Sequence, residues 1–241
     1  MPIQNTIKIS RSGLNLFLEC QRCFWLDLHQ KIKRPKPYPY TLSAAVDYLV
    51  KQEFDTYRQK GELPPIFAKE KLDAKLFQGS QLPDWRSNFK GVRYLDEDLN
   101  AIFYGAVDDI LEFPDGSLAV IDYKSSGSRE ITIYDDYQKQ MDIYSYLLEK
   151  NGFKVQPRAF FVFFVVLKDG GGFKNALPFR EELREISVDS SWVGPAFEHA
   201  VSVARQSQPP ESLPIAGEHC DHCHYVDMIT SLKIADNDLN I

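Results

Sequence analysis

The sequence lacks the features that would place it in a membrane or outside the cell. Its longest apolar run, residues 159–167, is too short to cross a bilayer and is typical of a buried strand. Residues 1–5 show no charged segment followed by an apolar one, so no secretory signal is visible. We therefore expect a cytoplasmic protein without a membrane partner.

An excess of positive charge is also lacking. The 28 lysines and arginines are outnumbered by 34 aspartates and glutamates, which gives a formal net charge of −6. This balance counts against a nucleic-acid partner, although the distribution of charge matters more than its total. Two basic groups either meet phosphates or form solvated surface: Lys31, Lys33, Arg34 and Lys36, and then Lys51, Arg58 and Lys60.

The composition is that of a folded protein with a sizeable core. Of the 241 residues, 44% are hydrophobic and 26% are charged, which excludes a disordered or fibrous chain. Single α/β domains commonly reach this size. We expect one domain over residues 1–241, with residues 1–40 and 207–241 as flanking segments. The oligomeric state stays open.

The spacing of apolar residues predicts an α/β core with a mixed sheet, because helices and strands alternate along the chain. A turn signal, Pro114-Asp115-Gly116-Ser117, separates two of the strands. Helices are predicted over residues 10–30, 42–58, 135–149 and 190–206, and strands over residues 101–113, 118–123 and 158–167.

The strand after this turn carries charge within an apolar run. Side chains alternate along a strand, so Asp122 and Lys124 share one face. Burying such charges costs free energy unless they are paired or bound to a cation. For an isolated Asp-x-Lys, a buried ion pair is the simpler interpretation.

The strand before the turn offers a second carboxylate. If Phe113 pairs with Leu118, Asp108 lies opposite Tyr123, and a bulge or a slip would bring it to the same site as Asp122. Two carboxylates supply the hard oxygen ligands that Mg²⁺ or Mn²⁺ prefers. A nearby ammonium can orient a water or stabilise negative charge, so the pattern is typical of phosphodiester hydrolysis.

Three motifs around this turn resemble those of RecB-like PD-(D/E)XK nucleases, and the resemblance covers residues 105–148. Gly105-Ala106-Val107-Asp108 is similar to their G-x-x-D, Val120-Ile121-Asp122-Tyr123-Lys124 to hydrophobic-D-x-K, and residues 140–144 to the Q-x-x-x-Y helix. The resemblance implies a restriction-endonuclease-like αβββαβ core with a mixed central sheet, a helical N-terminal segment and termini joined by a metal site.

The resemblance also implies roles for individual residues. In the family, the helix face that carries the glutamine and the tyrosine looks toward the metal site and DNA, whereas the alternative is an ordinary amphipathic core helix. The implied catalytic residues are Asp108, Asp122, Lys124, Gln140 and Tyr144, and the implied ligands of Mg²⁺ or Mn²⁺ include Asp108, Asp122 and Tyr123.

In the family, a third ligand of the metal ion, acidic or histidine, usually comes from a helix that precedes the hairpin. The family's apolar context favours Asp47, at a position where these enzymes often have histidine. Helical geometry favours Glu53, which falls within the predicted apolar stripe of Leu42, Val46, Val50 and Tyr57. We place Asp47 first and keep Glu53 as the alternative.

The four cysteines form two C-x-x-C pairs, Cys20 with Cys23 and Cys220 with Cys223. In a reducing compartment such pairs more often hold a metal than form disulfides. Together they would make a Cys₄ site for Zn²⁺ or an iron–sulfur cluster. Three histidines close to the second pair also leave a mixed zinc site open: His219, His222 and His224.

Some RecB-like nucleases, including those associated with AddB and with CRISPR adaptation, carry a [4Fe–4S] cluster that joins their termini. This resemblance favours [4Fe–4S] over Zn²⁺. The sequence departs from that pattern, because those proteins place one cysteine early and three late, whereas this chain has two and two.

The resemblance to RecB-like nucleases implies a metal-dependent DNA nuclease, acting as an exonuclease on single-stranded or end-bearing DNA in repair, recombination or defence. One alternative is a CRISPR-associated prespacer-processing nuclease, and another is a non-catalytic, metal-stapled DNA-binding or scaffold module. No G-x-x-x-x-G-K-[ST] motif is present, so any unwinding would need a helicase partner. Helicases and CRISPR adaptation proteins are therefore the expected partners beside DNA.

Overall fold

The computed structural model describes residues 6–35, 40–206 and 213–231. The chain divides into two compact units, which are treated separately: Met1–Arg11 with Tyr38–Pro195, and Ser12–Pro37 with Ala196–Ile241. The expectation of one domain with joined flanking segments stays a prediction. In the described part of the chain, no helix has both the length and the apolar character needed to cross a membrane.

The described residues form sixteen helices and strands, and their labels are used below. They are β1 (Ile7–Ser10), α1 (Arg11–Glu19), α2 (Gln21–Gln30), α3 (Thr41–Lys60), α4 (Pro65–Lys69), β2 (Lys75–Leu76), α5 (Leu82–Trp85), β3 (Val92–Asp96), β4 (Ala101–Gly105), β5 (Asp109–Glu112), β6 (Leu118–Ser126), α6 (Asp135–Lys150), β7 (Arg158–Val166), β8 (Phe179–Ser187), α7 (Val193–Arg205) and α8 (Asp221–Ser231).

A five-stranded mixed sheet forms the centre of the first unit. Its strand order is β2-β5-β6-β7-β8, and only the β6–β7 pair is parallel. The chain passes from β6 to β7 through helix α6, as a parallel pair requires. With α3 before β2, the order α3-β2-β5-β6-α6-β7 gives the predicted αβββαβ core, so the predicted fold class is confirmed.

The two faces of β6 are covered by different helices. Tyr123 packs edge-on against Phe54 of α3, with ring centroids 4.8 Å apart. Asp122, its neighbour on the opposite face, is bound by Gln140 of α6. Coverage of both faces explains why β7 is buried over residues 159–165, since parallel strands with helices on both sides have no solvent face.

The prediction of one strand over residues 101–113 is wrong. The chain forms β4 in a separate three-stranded sheet of order β1-β4-β3, breaks over residues 106–108, and enters the five-stranded sheet as β5. Within the break, the Val107 N–H donates to the Trp85 carbonyl at 3.1 Å instead of to a neighbouring strand. Asp108 therefore lies in the short segment between two sheets.

The other predicted elements agree with the structure in type, with one exception. The single helix predicted over residues 10–30 is broken at Cys20, whose backbone is extended (φ −162°, ψ 106°) and which caps α2. The predicted ranges did not include seven of the elements in the described part of the chain: β1, α4, β2, α5, β3, β8 and α8.

We predict that Gly105→Ala destabilises the first unit. A Cβ at this position would lie 2.7 Å from Cε1 of Tyr144, so the ring must shift from its packed position. Overpacking of this kind costs about 1–3 kcal/mol in the free energy of unfolding, measurable by urea denaturation. Gly127→Ala is the control, because its Cβ would meet nothing within 4 Å. Equal losses in both variants would contradict the packing argument.

Candidate active site and cysteine site

The register of the β5–β6 hairpin differs by one residue from the prediction. Leu118 pairs with Glu112, not with Phe113, and Asp109 pairs with Ile121. Phe113 belongs to the turn instead, where its N–H donates to the Ser117 carbonyl at 2.9 Å. This register is the one-residue slip that brings Asp108 level with Asp122 at the end of the hairpin.

Asp108 is positioned by contacts to both of its carboxylate oxygens. Oδ2 accepts a hydrogen bond from the backbone N–H of Tyr123 at 3.1 Å. Oδ1 lies 2.7 Å from Nζ of Lys51 on α3. The Asp108 side chain is 21% exposed, so it remains accessible from solvent.

Asp122 is almost completely buried beside Asp108. Oδ1 accepts a hydrogen bond from Nε2 of Gln140 at 2.5 Å. Oδ2 forms an ion pair with the ammonium of Lys124. Burial and the nearby charge of Asp108 raise the pKa of Asp122, while the ammonium of Lys124 opposes that rise.

Helix α6 supplies the side chains that hold Lys124. The Lys124 ammonium donates to Oε1 of Gln140 at 3.3 Å and lies 4.8 Å from the ring centroid of Tyr137. The Gln140 amide also lies 3.4 Å from the Tyr144 hydroxyl. Gln140 therefore contacts Asp122, Lys124 and Tyr144 at once, and the predicted helix face does look toward the hairpin.

A charged stripe on α3 faces the same end of the hairpin. Asp47, Lys51, Asp55 and Arg58 recur at helical spacing and therefore share one side of the helix. Lys51 lies 2.8 Å from Oδ2 of Asp47 as well as contacting Asp108. The helix thus brings both an acidic and a basic group to the site.

Asp47 and Glu53 lie on opposite sides of the buried stripe of α3. That stripe consists of Val50 and Phe54, flanked by partly buried residues. Glu53 is exposed, and its backbone carbonyl accepts a hydrogen bond from the Thr56 hydroxyl. The structure thus brings Asp47 near Asp108 but not Glu53. Leu42, which was predicted within the apolar stripe, is 60% exposed.

Asp109, which was not predicted from the sequence as a site residue, is fully buried and carries the densest set of contacts in the region. Nη2 of Arg58 lies 2.6 Å from both of its oxygens, and Nη2 of Arg86 lies 2.7 Å from Oδ2. Arg58 is therefore not available to a phosphate. The sequence contains a signal for this ion pair. Arg58 is the last residue of the charged stripe on α3, and Asp109 directly follows Asp108, the aspartate of the G-x-x-D motif.

Tyr123 also donates to Asp109, through its hydroxyl at 2.7 Å. Burial and the charge of Asp109 raise the pKa of Tyr123 well above its ordinary value, so the hydroxyl stays protonated. The Tyr123 side chain therefore points away from the face of Asp122 and Lys124. Any contribution of Tyr123 to a bound ion would come from its backbone carbonyl.

The donor set fits a divalent cation. Oδ2 of the buried Asp122 and Oδ1 of Asp108 each contact a cationic group, the ammonium of Lys124 and the ammonium of Lys51 respectively. Hard carboxylate oxygens of this kind suit Mg²⁺ or Mn²⁺. Asp108 and Asp122 would hold the ion, and Asp47 is the third carboxylate within reach of the same ammonium.

The four cysteines come together in the second unit. All are buried, and their sulfur atoms lie within 4.8 Å of one another, the only such group of potential metal ligands in the described parts of the chain. Cys23 lies 3.6 Å from both Cys220 and Cys223, and Cys20 lies 3.7 Å from Cys223. These separations exclude disulfides, whose sulfurs are about 2.05 Å apart. The group contains no histidine.

Donors around these sulfurs favour thiolates. The Gly217 N–H donates to Cys20 at 3.2 Å, and Arg34 donates to Cys220 at 3.2 Å. Burial alone would raise the pKa of Cys20, but backbone hydrogen bonds from Gly217 and Cys23 lower it. Burial and neighbouring cysteines instead raise the pKa of Cys23 and that of Cys223, so four thiolates can coexist here only with a cation among them, and the group can bind a metal ion or cluster.

We predict that Asp109→Asn strongly destabilises the first unit. The substitution leaves two largely buried guanidiniums with the partly exposed Asp55 as their remaining carboxylate, which costs about 3–5 kcal/mol in the free energy of unfolding. Asp55→Asn is the control, because Asp55 pairs with the same two arginines but is 41% exposed, so we expect a loss below about 1 kcal/mol. Urea denaturation measures both, and equal losses would argue against Asp109 as the central contact.

Comparison with known proteins agrees with this geometry. A family model for the PD-(D/E)XK nuclease superfamily matches residues 39–228, which include the hairpin, α3 and α6. No curated protein sequence matches. The solved structure described as "Crystal structure of SSO0001" is similar over 87% of this chain and 80% of its own, at 14% identity and a TM-score of 0.39, a likeness too low to support an argument. On the family match, the chain belongs to the PD-(D/E)XK nuclease superfamily.

Proposed function

We propose that this member of a superfamily of metal-dependent nucleases is a RecB-like exonuclease that cuts single-stranded or end-bearing DNA in repair, recombination or defence. The observation that supports the proposal is the convergence of Asp108, Asp122, Lys124 and Gln140 at the end of one hairpin. The order and spacing of these residues resemble the RecB-like motifs, and this resemblance supports DNA ends as the substrate.

The chain's own residues have distinct tasks in this reaction. Asp108, Asp122 and Asp47 would hold Mg²⁺ or Mn²⁺, which when bound lowers the pKa of a water and stabilises negative charge on the phosphate. Lys124, fixed by Gln140 and Tyr137, places a positive charge where that negative charge develops. Gln140 occupies Oδ1 of Asp122, so Oδ2, which is paired with Lys124, is the oxygen that the ion would use.

Two other functions share parts of this site. A CRISPR-associated prespacer-processing nuclease would use the same chemistry with CRISPR adaptation proteins as partners, whereas a repair exonuclease would work beside a helicase. A non-catalytic DNA-binding or scaffold module would not need the contacts between Gln140, Asp122 and Lys124. The contacts around Asp122 and Lys124 therefore favour an enzyme.

We predict that Lys124→Ala lowers the rate of DNA cleavage by at least about a hundredfold, because it removes the ammonium that stabilises the developing charge. The assay uses end-labelled single- and double-stranded DNA, with matched RNA and closed circular DNA, in Mg²⁺ and in Mn²⁺. Lys154→Ala is the matched control: Lys154 is also paired with an aspartate, Asp115, but at the turn end of the hairpin. Its rate should equal that of the wild type.

The outcomes separate the alternatives. Full Mn²⁺-dependent cleavage by Lys124→Ala would contradict the catalytic assignment. Binding without cleavage by the wild type in either ion would favour the non-catalytic module. Cleavage of RNA alone, or of closed circles, would replace the proposed substrate or the proposed exonucleolytic action.

We further propose that the four-cysteine site holds a single Zn²⁺. A tetrahedral ion with Zn–S bonds of about 2.3 Å places its sulfurs about 3.8 Å apart. The observed separations of 3.6 and 3.7 Å are close to that value. In a [4Fe–4S] cluster each thiolate binds a different iron, so the sulfurs would need to lie farther apart. The spacing therefore supports Zn²⁺ over the [4Fe–4S] cluster that the family resemblance favoured.

We predict that protein purified without oxygen is colourless and contains one zinc per chain by elemental analysis, because the sulfurs surround a volume suited to one ion. Cys23→Ser should lose that zinc and unfold at a lower temperature, since structural zinc contributes directly to folding. Asp108→Ala serves as the control and should retain it. A brown protein with several irons per chain would instead establish the iron–sulfur cluster.

A further inference from the structure

Lys51 occupies a position in the candidate active site that none of the family motifs assigns. Its ammonium lies between Oδ1 of Asp108 at 2.7 Å and Oδ2 of Asp47 at 2.8 Å. Its side chain is 23% exposed, so it reaches the site from its solvent side. The site thus contains two ammonium groups, Lys124 beside Asp122 and Lys51 beside Asp108.

Anchoring α3 to the hairpin does not account for this contact. Arg58, about two turns further along α3, already binds the buried Asp109 through two hydrogen bonds of 2.6 Å. The side chains of Arg58 and Asp109 are 12% and 0% exposed. The side chains of Lys51 and Asp108 are both more than one-fifth exposed. The tight anchor is therefore Arg58, and the Lys51 contact is the more exchangeable of the two.

The oxygen that Lys51 contacts is the one that a cation would need. Oδ2 of Asp108 accepts the Tyr123 N–H, so Oδ1 is the oxygen of Asp108 free of backbone contacts. A divalent ion binding through Oδ1 competes with the ammonium for the same atom. Two cations this close also repel each other in a partly buried site, where charges are screened less than in water.

A released Lys51 would remain beside the substrate. Its flexible four-carbon stem lets the ammonium move while α3 stays in place. Asp47, which Lys51 contacts at 2.8 Å, also lines a groove of about 300 Å³ whose lining includes Lys124 but not Lys51. A DNA strand at this site presents phosphates, which are strong acceptors for an ammonium.

We propose that Lys51 exchanges partners during substrate binding: it neutralises Asp47 and Asp108 in the ion-free protein, then leaves them to the divalent ion and binds a DNA phosphate. The inference rests on the proposed function, since the second partner is a nucleic-acid phosphate. It makes Lys51 a substrate-binding residue whose release depends on the ion.

The first test is isothermal titration of DNA-free protein with Mn²⁺. Lys51→Met keeps the length of the side chain but removes the competing charge, so we expect Mn²⁺ to bind about tenfold more tightly than to the wild type. Lys51→Arg keeps the charge and should bind Mn²⁺ as the wild type does. Lys154→Met removes an ion-paired lysine at the other end of the hairpin and should also leave the affinity unchanged.

The second test measures binding of a labelled single-stranded oligodeoxynucleotide in Mn²⁺, with Lys124→Ala present in every protein to prevent cleavage. Loss of one phosphate contact should weaken binding by Lys51→Met and reduce the slope of log affinity against log salt by about 0.7. Lys51→Arg and Lys154→Met should keep the slope. Thermal unfolding establishes that each variant is folded, and Lys51→Arg guards against a purely structural loss in Lys51→Met.

Unchanged or weaker Mn²⁺ binding by Lys51→Met would overturn the competition with the ion. An unchanged salt slope would overturn the phosphate contact. Cleavage by the wild type decides the proposed function separately, because the Mn²⁺ titration needs no DNA. A wild type that neither binds nor cuts DNA would end both the proposed function and the phosphate half of this inference.

Discussion

The candidate active site depends on the ion pairs that the buried carboxylate of Asp109 forms with two arginines. A carboxylate without solvent exposure needs partners in place of water, and here the guanidinium groups of Arg58 and Arg86 supply them. Arg58 comes from α3 and Arg86 follows α5, so the contact joins both segments to β5. Successive side chains on a strand point in opposite directions. Asp108, however, precedes β5, so the direction of its side chain is set by its own contacts, to Lys51 and to the Tyr123 N–H.

The same alternation distributes the tasks of β6 between two helices. Tyr123 points to α3, where its ring packs on Phe54 and its hydroxyl binds Asp109. Asp122 and Lys124 point to α6, where Gln140 contacts both. The sheet therefore carries structural contacts on one face and reactive groups on the other. The structural contacts and the reactive groups meet at the ends of the strands, where Asp108 lies level with Asp122 and α3 contributes Asp47 and Lys51.

The second unit contains a different kind of candidate metal site, which is built from four cysteine sulfurs. Four sulfurs lie close together without bonding to one another, which is unfavourable for thiolates unless a cation lies among them. The backbone helps, because Gly217 approaches so closely that a Cβ there would meet the carbonyl of Glu19 at 1.9 Å. Only glycine fits that position, and its N–H then reaches Cys20. A metal at this site would join α2 to α8, which are distant in sequence.

The sequence by itself determined the elements whose signals are local. Helical spacing predicted α3 and α6, a proline- and glycine-containing turn predicted the hairpin, and motif spacing selected Asp108, Asp122, Lys124 and Gln140. Tertiary structure decided the rest. The one-residue register of the hairpin, the break between β4 and β5, the side of α3 that carries Asp47 and the sulfur spacing each depend on contacts between distant segments. Asp109 shows the physical reason: a charge can be buried only where its partners arrive, and those partners lie 51 and 23 residues away along the chain.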